Sequence, residues 1–367
     1  MTGGHVLVVR LDSMGDMLVS GPAIRAVAAG AARLTLLAGP DGAAAAGLLP
    51  GVDDVLVWAC PWILGAAPDV DARDVEQLVD RLRELRLDAA VVLTSFHQSA
   101  LPTALVLRLA GVPHVAAVST DYPGSLLDVR LPEPEDAPEP VRMLAIVAGA
   151  GYALPDGDAG RLAVRRPLPR VDDVLDLDRA VLSADVPFLV VHPGASAPAR
   201  AYPVELWTAA VERLIRDGWR IVVTGSPADL PLTGGIIDAT GTEYRHAVHD
   251  LAGRLDLSRL AAVLDLARVT VVANTGPAHL SAAVGTPVVS LFAPVVPAIR
   301  WAPYGVAVQL LGDQDAPCRD TRWTRCRIEG HPCLGSVSSD RIADAVDRLA
   351  GSTTRSTAPP QPQASPV

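Results

Sequence analysis

The sequence predicts an α/β protein built from two doubly wound, Rossmann-like domains that face each other across a cleft. Three observations predict this fold. The chain has 367 residues, which suits two domains of about 150 to 180 residues better than one. Short apolar runs alternate with amphipathic stretches in both halves, a pattern typical of a parallel sheet covered by helices on both faces. Hydrophobic residues make up 50% of the chain and charged residues 20%, which is a globular composition.

The first half contains five predicted strands and three predicted helices. The strands are His5–Leu11, Arg33–Ala38, Asp54–Ala59, Ala89–Ser95 and His114–Ser119, and the helices lie around Pro22–Ala29, Val75–Leu85 and Ala100–Ala110. A second set of the same kind begins at Phe188. Its strands are Phe188–His192, Arg220–Thr224, Thr270–Ala273 and Pro287–Phe292, and its helices are Val204–Arg216, Leu230–Asp238, Leu257–Ala267, Pro277–Val284 and Ser338–Ala350.

The two sets divide the chain into an N-terminal domain of residues 1–170 and a C-terminal domain of residues 171–350. The division is loose, because the stretch between Tyr152 and Asp185 is rich in Pro, Asp and Arg and mixes its signals. The remaining residues, 351–367, read GSTTRSTAPPQPQASPV, a low-complexity composition that predicts a disordered tail.

The composition excludes several classes of function. The formal net charge of −10 argues against a nucleic-acid partner. The chain has no lysine, so neither a P-loop lysine nor a Schiff-base lysine exists. No apolar run reaches the length of a transmembrane helix, and the N-terminus lacks the layout of a secretion signal, so we expect a cytoplasmic protein.

Three of the four cysteines, Cys318, Cys326 and Cys333, lie close together in the sequence, and the fourth is Cys60. Their spacing is not the paired C-x-x-C of a zinc site. We therefore expect reduced, partly buried thiols and no metal site.

Ligands of doubly wound sheets bind where strands pass into helix N-termini, so the loops after the strands are the candidate sites. The first strand is followed by DSMGD, residues 12–16. A carboxylate facing the cleft, Asp12 or Asp16, suits a general base that takes the proton of an acceptor hydroxyl. The same residues could instead cap the helix that follows, a position where Asp is favoured.

Two loops of the second half carry further candidates. After the strand Phe188–His192 come Gly194, Ala195 and Ser196, small residues that let backbone N–H groups approach a phosphate, and then Arg200, which can pair with phosphate oxygens in bidentate fashion. The next loop carries Asp229, which suits either a ribose contact or the N-terminal charge of a helix.

The loop after Thr270–Ala273 is the strongest candidate. It reads Asn274, Thr275, Gly276, Pro277 and Ala278 and then reaches His279 in the first turn of a helix. Backbone amides and the helix dipole at such a turn favour a diphosphate. A lone histidine in a helix is often structural, but this context favours a functional one. The sequence thus predicts an anion site here.

These loops, in this order, resemble glycosyltransferase family 9, the ADP-heptose-dependent heptosyltransferases of lipopolysaccharide core assembly. The resemblance covers nearly the whole chain to about residue 350. Its matching segments are VVRLDSMGD (8–16), HPGAS (192–196) with Arg200, NTGPAHLSAAVGTPVVSLFAP (274–294), RWAPYG (300–305) and HPCL (331–334).

The resemblance implies a GT-B fold with the acceptor on the N-terminal domain and a nucleotide-diphosphate sugar, ADP-linked, on the C-terminal domain. It implies inverting transfer that needs neither a metal nor another cofactor. The acceptor that it leads us to expect is a glycan, a lipid-linked acceptor or a small molecule. Asp16 matches the base and Arg200 a residue that contacts donor phosphate. The diphosphate block matches Asn274, Thr275, Gly276 and His279, and Asp229 matches a ribose contact less securely.

Departures from the family pattern leave alternatives open. Val295 and Val296 stand where the family commonly has Thr and Asp, which puts the donor sugar in doubt. The alternatives are a transferase that uses another nucleotide sugar and a secondary-metabolite acceptor, or a nucleotide-sugar binding protein without transfer. A nicotinamide-dependent oxidoreductase or epimerase is disfavoured, because G-x-G-x-x-G does not follow the first strand.

A lipid-linked acceptor would require contact with a membrane surface. A loosely basic region is a candidate for this contact, but solvated surface charges explain it better. Its members are Arg130, Arg142, Arg161, Arg165, Arg166 and Arg170.

Overall fold

The computed structural model describes residues 3–63, 68–95, 97–170 and 187–352, which form two six-stranded, wholly parallel sheets. The first has the order β3-β2-β1-β4-β5-β6 and the second β12-β11-β10-β7-β8-β9. The first contains β1 (His5–Arg10), β2 (Arg33–Ala38), β3 (Asp54–Val57), β4 (Ala89–Val92), β5 (Val115–Val118) and β6 (Val129–Leu131). The second contains β7 (Phe188–His192), β8 (Arg220–Val223), β9 (Val248–Asp250), β10 (Val269–Ala273), β11 (Val288–Leu291) and β12 (Val308–Leu311). The predicted fold class is confirmed.

Helices cover the sheets. Those of the first half are α1 (Met14–Val19), α2 (Gly21–Gly30), α3 (Pro40–Leu48), α4 (Ala72–Glu84), α5 (Leu101–Leu109) and α6 (Glu139–Gly149). Those of the second half are α7 (Val204–Arg216), α8 (Leu230–Ala239), α9 (Leu257–Leu266), α10 (Gly276–Val284), α11 (Ala298–Trp301), α12 (Pro332–Gly335) and α13 (Ser339–Ser352).

The sequence predicted all of the central strands, because they are buried on both faces and therefore read as continuous apolar runs. It also predicted the edge strand β3, in which half-buried and exposed residues alternate. In β1, Val6 through Arg10 are all buried, and Val8 pairs with Leu36 of β2 and Val91 of β4. The three strands missed from the sequence, β6, β9 and β12, are short, lie at sheet edges and are mostly half-buried. Helix α3 was missed because its PDGAAAAGL sequence has no amphipathic period.

The proposed boundary at residue 171 and nearly all of the proposed tail fall on 171–186 and 353–367, which lie outside the described residues. The last helix ends at Ser352, two residues beyond the predicted end. Within the described part of the chain, no helix combines the length and apolar character that crossing a bilayer requires.

The predicted basic region is not a surface of free charges. Arg142 is buried and hydrogen-bonds Glu133 and Glu139. Arg165 donates to backbone carbonyls next to α3, and Arg166 forms a bidentate ion pair at 2.7 and 2.8 Å with an α9 carboxylate. The interpretation as solvated surface charges is therefore wrong for Arg142, whereas Arg165 and Arg166 are exposed and in addition fasten one segment to another.

Candidate active site

Four loops at the carboxyl ends of parallel strands form the candidate site. They follow β1 in the first sheet and β7, β8 and β10 in the second. Both β8 and β10 neighbour β7, so three of the loops lie side by side on one sheet edge. The strand order of the second sheet reverses between β7 and β10, and doubly wound sheets bind ligands at this kind of switch point.

Two glycines let the first turns of α1 and α10 touch across the cleft. A Cβ atom on Gly15 would lie 3.2 Å from Cδ2 of His279 and 3.5 Å from the Cα atom of Gly276. A Cβ atom on Gly276 would lie 2.1 Å from Cε of Met14. Because both positions lack a side chain, the loop after β1 packs directly against the loop after β10.

Asp16, in the first turn of α1, is held at both carboxylate oxygens. Oδ2 accepts hydrogen bonds from the N–H (3.3 Å) and the hydroxyl (2.6 Å) of Ser13, and Oδ1 accepts one from Arg10 at 3.3 Å. The Ser13 contacts are the capping role that the sequence left open. The side chain is 18% exposed, and a carboxylate offers about four lone-pair sites. Asp16 can therefore cap its helix and still accept a proton from a molecule in the cleft.

Behind Asp16 lies the fully buried guanidinium of Arg10. Its Nε is 3.2 Å from Oδ2 of Asp12, and its Nη2 donates to the hydroxyl of Ser95 at 3.0 Å. The amide of Gln98 donates to the other Asp12 oxygen at 2.5 Å. Burial lowers the pKa of Arg10, but the surrounding carboxylates outweigh this effect and raise it overall. Arg10 thus stays charged and joins two carboxylates.

Arg10, Ser95 and Gln98 were not predicted as site residues. A signal for Arg10 exists in the sequence, because it is the only arginine or acidic residue in the strand His5–Arg10 and lies two residues before Asp12, the first residue of the DSMGD loop. Ser95 and Gln98 have no such signal. They follow β4, and only the pairing of β4 with β1 brings them to Asp12.

Arg200 approaches Asp16 from the second domain. It ends a single 3₁₀ turn, Pro198–Arg200, in the loop after β7. Burial lowers the pKa of the Arg200 guanidinium, and the negative charge of Asp16 opposes the shift. Its Nε is buried and has no hydrogen-bond partner among the residues that the structure describes. Such an N–H group is costly to leave unpaired, which favours a ligand that accepts from it.

Asn274 and His279 show the same property on the α10 side. Both are 5% exposed. Nδ2 of Asn274 and Nδ1 of His279 have no hydrogen-bond partner in the described ranges. Burial and then the charge of Arg200 lower the pKa of His279 to about 4, so the imidazole is neutral at physiological pH. A neutral imidazole can still donate one hydrogen bond to a phosphate oxygen.

The N-terminus of α10 completes this anion-binding arrangement. Thr275 occupies the N-cap position in an extended conformation, and its side chain makes no capping hydrogen bond. Thr275 and Gly276 are half-buried, whereas the rest of the helix is buried. The first N–H groups of a helix lack intrahelical partners and carry a partial positive charge. This end of α10 is therefore suited to a diphosphate.

Asp229 lies beside the loop after β7. Its Oδ2 accepts hydrogen bonds from the N–H (2.8 Å) and the hydroxyl (2.7 Å) of Ser226, which is the capping role left open by the sequence. A Cβ atom on Gly194 would lie 2.7 Å from the Asp229 carboxyl carbon and both of its oxygens. Glycine at 194 therefore makes room for this carboxylate. Of the other two predicted residues in the loop, Ala195 is half-buried and Ser196 is exposed.

The two valines that depart from the family pattern differ in position. Val295 is 1% exposed and belongs to the hydrophobic core of the second domain, whereas Val296 is half-buried. Val295 is thus a core residue, and at most Val296 alters the polarity of the cleft.

The C-terminal cysteines form a buried thiol cluster. All four cysteines are free, and Cys318 and Cys333 are buried side by side. Burial and then Cys318 raise the pKa of Cys333 to about 12, so it remains a thiol. Across the described residues, no group of three or more His, Cys, Asp or Glu side chains is arranged to hold a metal ion.

Comparison with known proteins identifies the family of this chain. Lipopolysaccharide heptosyltransferase 2 of Escherichia coli K12 is 29% identical over 228 residues, which span 59% of this chain and 62% of that protein. The structure of E. coli ADP-heptose lps heptosyltransferase II has a TM-score of 0.72 at 21% identity and covers 95% of this chain and 98% of its own. The structure of E. coli heptosyltransferase WaaC with ADP has a TM-score of 0.64 at 18% identity over 95% of this chain and 98% of its own.

The two structures share the fold of this protein. The model of the family described as glycosyltransferase family 9 (heptosyltransferase) matches residues 75–331, which is more than half of the chain. The matched range includes Arg200 and the whole of the loop after β10. The chain therefore belongs to glycosyltransferase family 9, the heptosyltransferase family.

Proposed function

We propose that this protein is an inverting glycosyltransferase that moves a sugar, heptose, from an ADP-linked donor onto a hydroxyl group of a glycan. One observation carries the proposal. Among the residues that the structure describes, three buried N–H groups in the candidate-site segments of the second domain have no hydrogen-bond partner: one on Arg200 in the loop after β7, one on Asn274 just before α10, and one on His279 in the first turn of α10. Opposite them stands the carboxylate of Asp16. A negatively charged leaving group and a proton acceptor are what glycosyl transfer requires.

Asp16 is the general base in this proposal. Its carboxylate takes the proton of the acceptor hydroxyl while the hydroxyl oxygen attacks the anomeric carbon of the donor. The bond from that carbon to the phosphate oxygen breaks, and its electron pair leaves with the nucleoside diphosphate. A single displacement of this kind inverts the anomeric configuration. Arg10 and Ser13 hold the two carboxylate oxygens, so the base needs little reorganisation.

Negative charge builds on the departing diphosphate, and the second domain supplies the groups to stabilise it. Arg200 contributes a full positive charge, and Asn274, His279 and the N–H groups around Thr275 and Gly276 contribute fixed hydrogen-bond donors. A well-placed donor of this kind is worth about 3 kcal/mol in a water-poor site. We propose that these groups, and neither a metal ion nor another cofactor, neutralise the leaving group.

The nature of the substrates follows from the relatives. The E. coli WaaC structure of the same fold holds ADP, and the E. coli relative is named for transfer of heptose to lipopolysaccharide. We therefore assign an ADP-linked donor to the C-terminal domain, residues 171–350, and a glycan acceptor to the N-terminal domain, residues 1–170. Asp229 and the Gly194–Ser196 loop are positioned for the ribose and its phosphate. The four free thiols fit a reducing compartment, and we propose the cytoplasm.

A thermal-shift panel with ADP, UDP, GDP, CDP and NAD at equal concentration tests the donor site. A ligand that binds only the folded state stabilises it by about 2.7 kcal/mol at 100 times its dissociation constant. We expect ADP alone to raise the midpoint strongly, and Asn274→Ala and Arg200→Ala to reduce this shift sharply while ADP binding remains measurable at higher nucleotide concentration. Arg216→Ala, on the exposed end of α7, is the matched control and should respond to ADP like the wild type.

Each outcome of the panel distinguishes the proposal from its alternatives. A stronger shift with UDP or GDP would keep the fold and site but replace the donor. A shift with NAD would point to a dehydrogenase or epimerase. ADP binding without ADP release from ADP-heptose, in the presence of heptose-deficient lipopolysaccharide, would indicate a binding protein that does not transfer to this acceptor. No shift with any nucleotide would refute the proposed function.

A further inference from the structure

The chain after β12 returns to the donor side of the cleft and holds the turn that carries Arg200. We call residues 318–337 the C-terminal brace. The N–H of Ala199 donates to the carbonyl of Thr324 at 3.0 Å. The carbonyl of Ala199 lies 3.1 Å from Nε2 of His331. Since a carbonyl can only accept, Nε2 of His331 carries the proton in this contact. Both polar backbone groups of Ala199, the residue before Arg200, are therefore bound by the brace.

The brace is itself fastened to the second domain. The N–H groups of Asp320 and Arg322 donate to the carbonyls of Pro294 and Val295, both at 2.8 Å. Tyr202, two residues after Arg200, donates its hydroxyl to the carbonyl at position 337 at 2.5 Å. The buried thiols Cys318 and Cys333 pack in the same core. Movement of the Arg200 turn is thus restrained by a segment that is anchored elsewhere.

Backbone conformation shows how firmly the brace is held. Among the described residues, four that are not glycine have a positive φ, and three of them lie in the brace: Asp320 (58°), Arg322 (56°) and His331 (45°). Such conformations cost free energy, persist only where surrounding contacts enforce them, and concentrate at functional sites. For His331 the enforced conformation coincides with the contact to Ala199.

We propose that His331 is a positioning residue for Arg200, acting through the Ala199 carbonyl. The inference rests on the proposed function, because Arg200 is the group that would bind the donor phosphates. Arg200 lies in a single 3₁₀ turn with no helix or strand of its own to fix it. Its buried Nε needs an acceptor at a fixed place, so a small displacement of the turn weakens the contact. The HPCL segment (331–334) lies far from the cleft loops along the chain. In this proposal its first residue, His331, helps to position Arg200.

Three substitutions separate positioning from folding. His331→Ala removes the donor. His331→Gly removes the donor as well but relieves the positive φ, so its melting temperature should be at least that of His331→Ala. His331→Gln keeps an N–H donor at a similar reach. We expect ADP affinity, measured by calorimetry, to fall about fivefold in the Ala and Gly variants, the value of one neutral hydrogen bond, and to return to within about twofold of wild type in the Gln variant.

A double-mutant cycle tests whether the effect passes through Arg200. In an Arg200→Ala background, His331→Gly should leave ADP affinity unchanged, because the group that it positions is gone. In the Arg216→Ala background it should cost the same about fivefold as in wild type. If the loss were equal in both backgrounds, His331 would act on the fold of the domain and the proposal would be overturned.

Hydrogen exchange gives a readout that needs no nucleotide. In full-length His331→Gly, amides of the peptide 196–201 should exchange faster, since the N–H of Ala199 depends on the brace, while amides of α7 should be unchanged. Unchanged exchange at 196–201 would overturn the positioning role even if ADP binds. A different result would separate the two proposals. If the wild-type protein bound no nucleotide while the peptide 196–201 still exchanged faster in His331→Gly, the brace would be a purely structural contact. The proposed function would then be wrong, and so would the role of His331 in donor binding.

Discussion

Replacing Arg10 by methionine tests the charge cluster behind the proposed base. Arg10→Met keeps an unbranched side chain, two bonds shorter than that of arginine, and removes its charge. Arg10 is 0% exposed and pairs with Asp12, itself 8% exposed, at 3.2 Å and with Asp16 at 3.3 Å. Removing one partner of a buried ion pair leaves the other uncompensated and costs about 3–5 kcal/mol. For a domain of 150 to 250 residues, this corresponds to a drop in the melting temperature of roughly 6 to 20 °C.

The loss depends on pH in a definite direction. Burial already raises the pKa of Asp12, opposed by Arg10, and loss of Arg10 removes that opposition. A carboxyl group whose pKa is higher in the folded than in the unfolded protein favours folding at low pH, and this contribution is lost as pH rises through the folded-state pKa. Arg10→Met should therefore be most destabilised at about pH 8 and should recover part of the loss at about pH 5.

Thermal unfolding of wild type and variant across this pH range, monitored by tryptophan fluorescence, is the assay. Arg33→Met is the matched control in the same sheet, because the Arg33–Asp54 pair is 54% and 45% exposed and such surface pairs contribute about 0–1 kcal/mol. A loss in Arg10→Met no larger than that in Arg33→Met would refute the reasoning. So would a destabilisation that grows as the pH falls.

Three further predictions concern the cleft. Asp16→Asn should lower the rate of ADP release in the presence of acceptor by at least about 10²-fold. Its ADP affinity, measured by calorimetry, should change less than about twofold. Near-normal turnover would show that Asp16 is not the general base. Gly276→Ala places a Cβ atom against Cε of Met14, a flexible chain end that can move aside, so we expect only a small loss of ADP affinity, which adding Met14→Ala should restore. A large loss that Met14→Ala does not restore would contradict this account of the contact. His279→Gln should weaken ADP binding by a factor that is constant from about pH 5.5 to pH 8. The reason is that the pKa of His279 is lowered to about 4, so the imidazole stays neutral over this range. A factor that grows towards acidic pH would show that His279 becomes charged.

Local signals were sufficient for most of the architecture. Apolar runs marked the central strands, such as Phe188–His192, to within one to three residues at either end. Three of the four edge strands, β6, β9 and β12, escaped, because their few half-buried residues produce neither a continuous apolar run nor a clear alternation. The fourth, β3, alternates regularly and was predicted. Family membership also followed from local blocks, the SMGD and NTGPAHL loops, whose residue types suit strand ends that pass into helix N-termini.

The sequence by itself thus determined the fold class, the family and the loops that carry the proposed chemistry, because each depends on residues close together in the chain. The tertiary structure alone decided which groups surround them. Arg10 meets Ser95 through the pairing of β1 with β4, and His331 reaches the turn of Arg200 from 131 positions further along the chain. Such contacts join segments far apart in sequence, and no helix propensity or hydrophobic period encodes them. They form only when the strands of the first sheet have paired and the C-terminal brace has packed against the second domain.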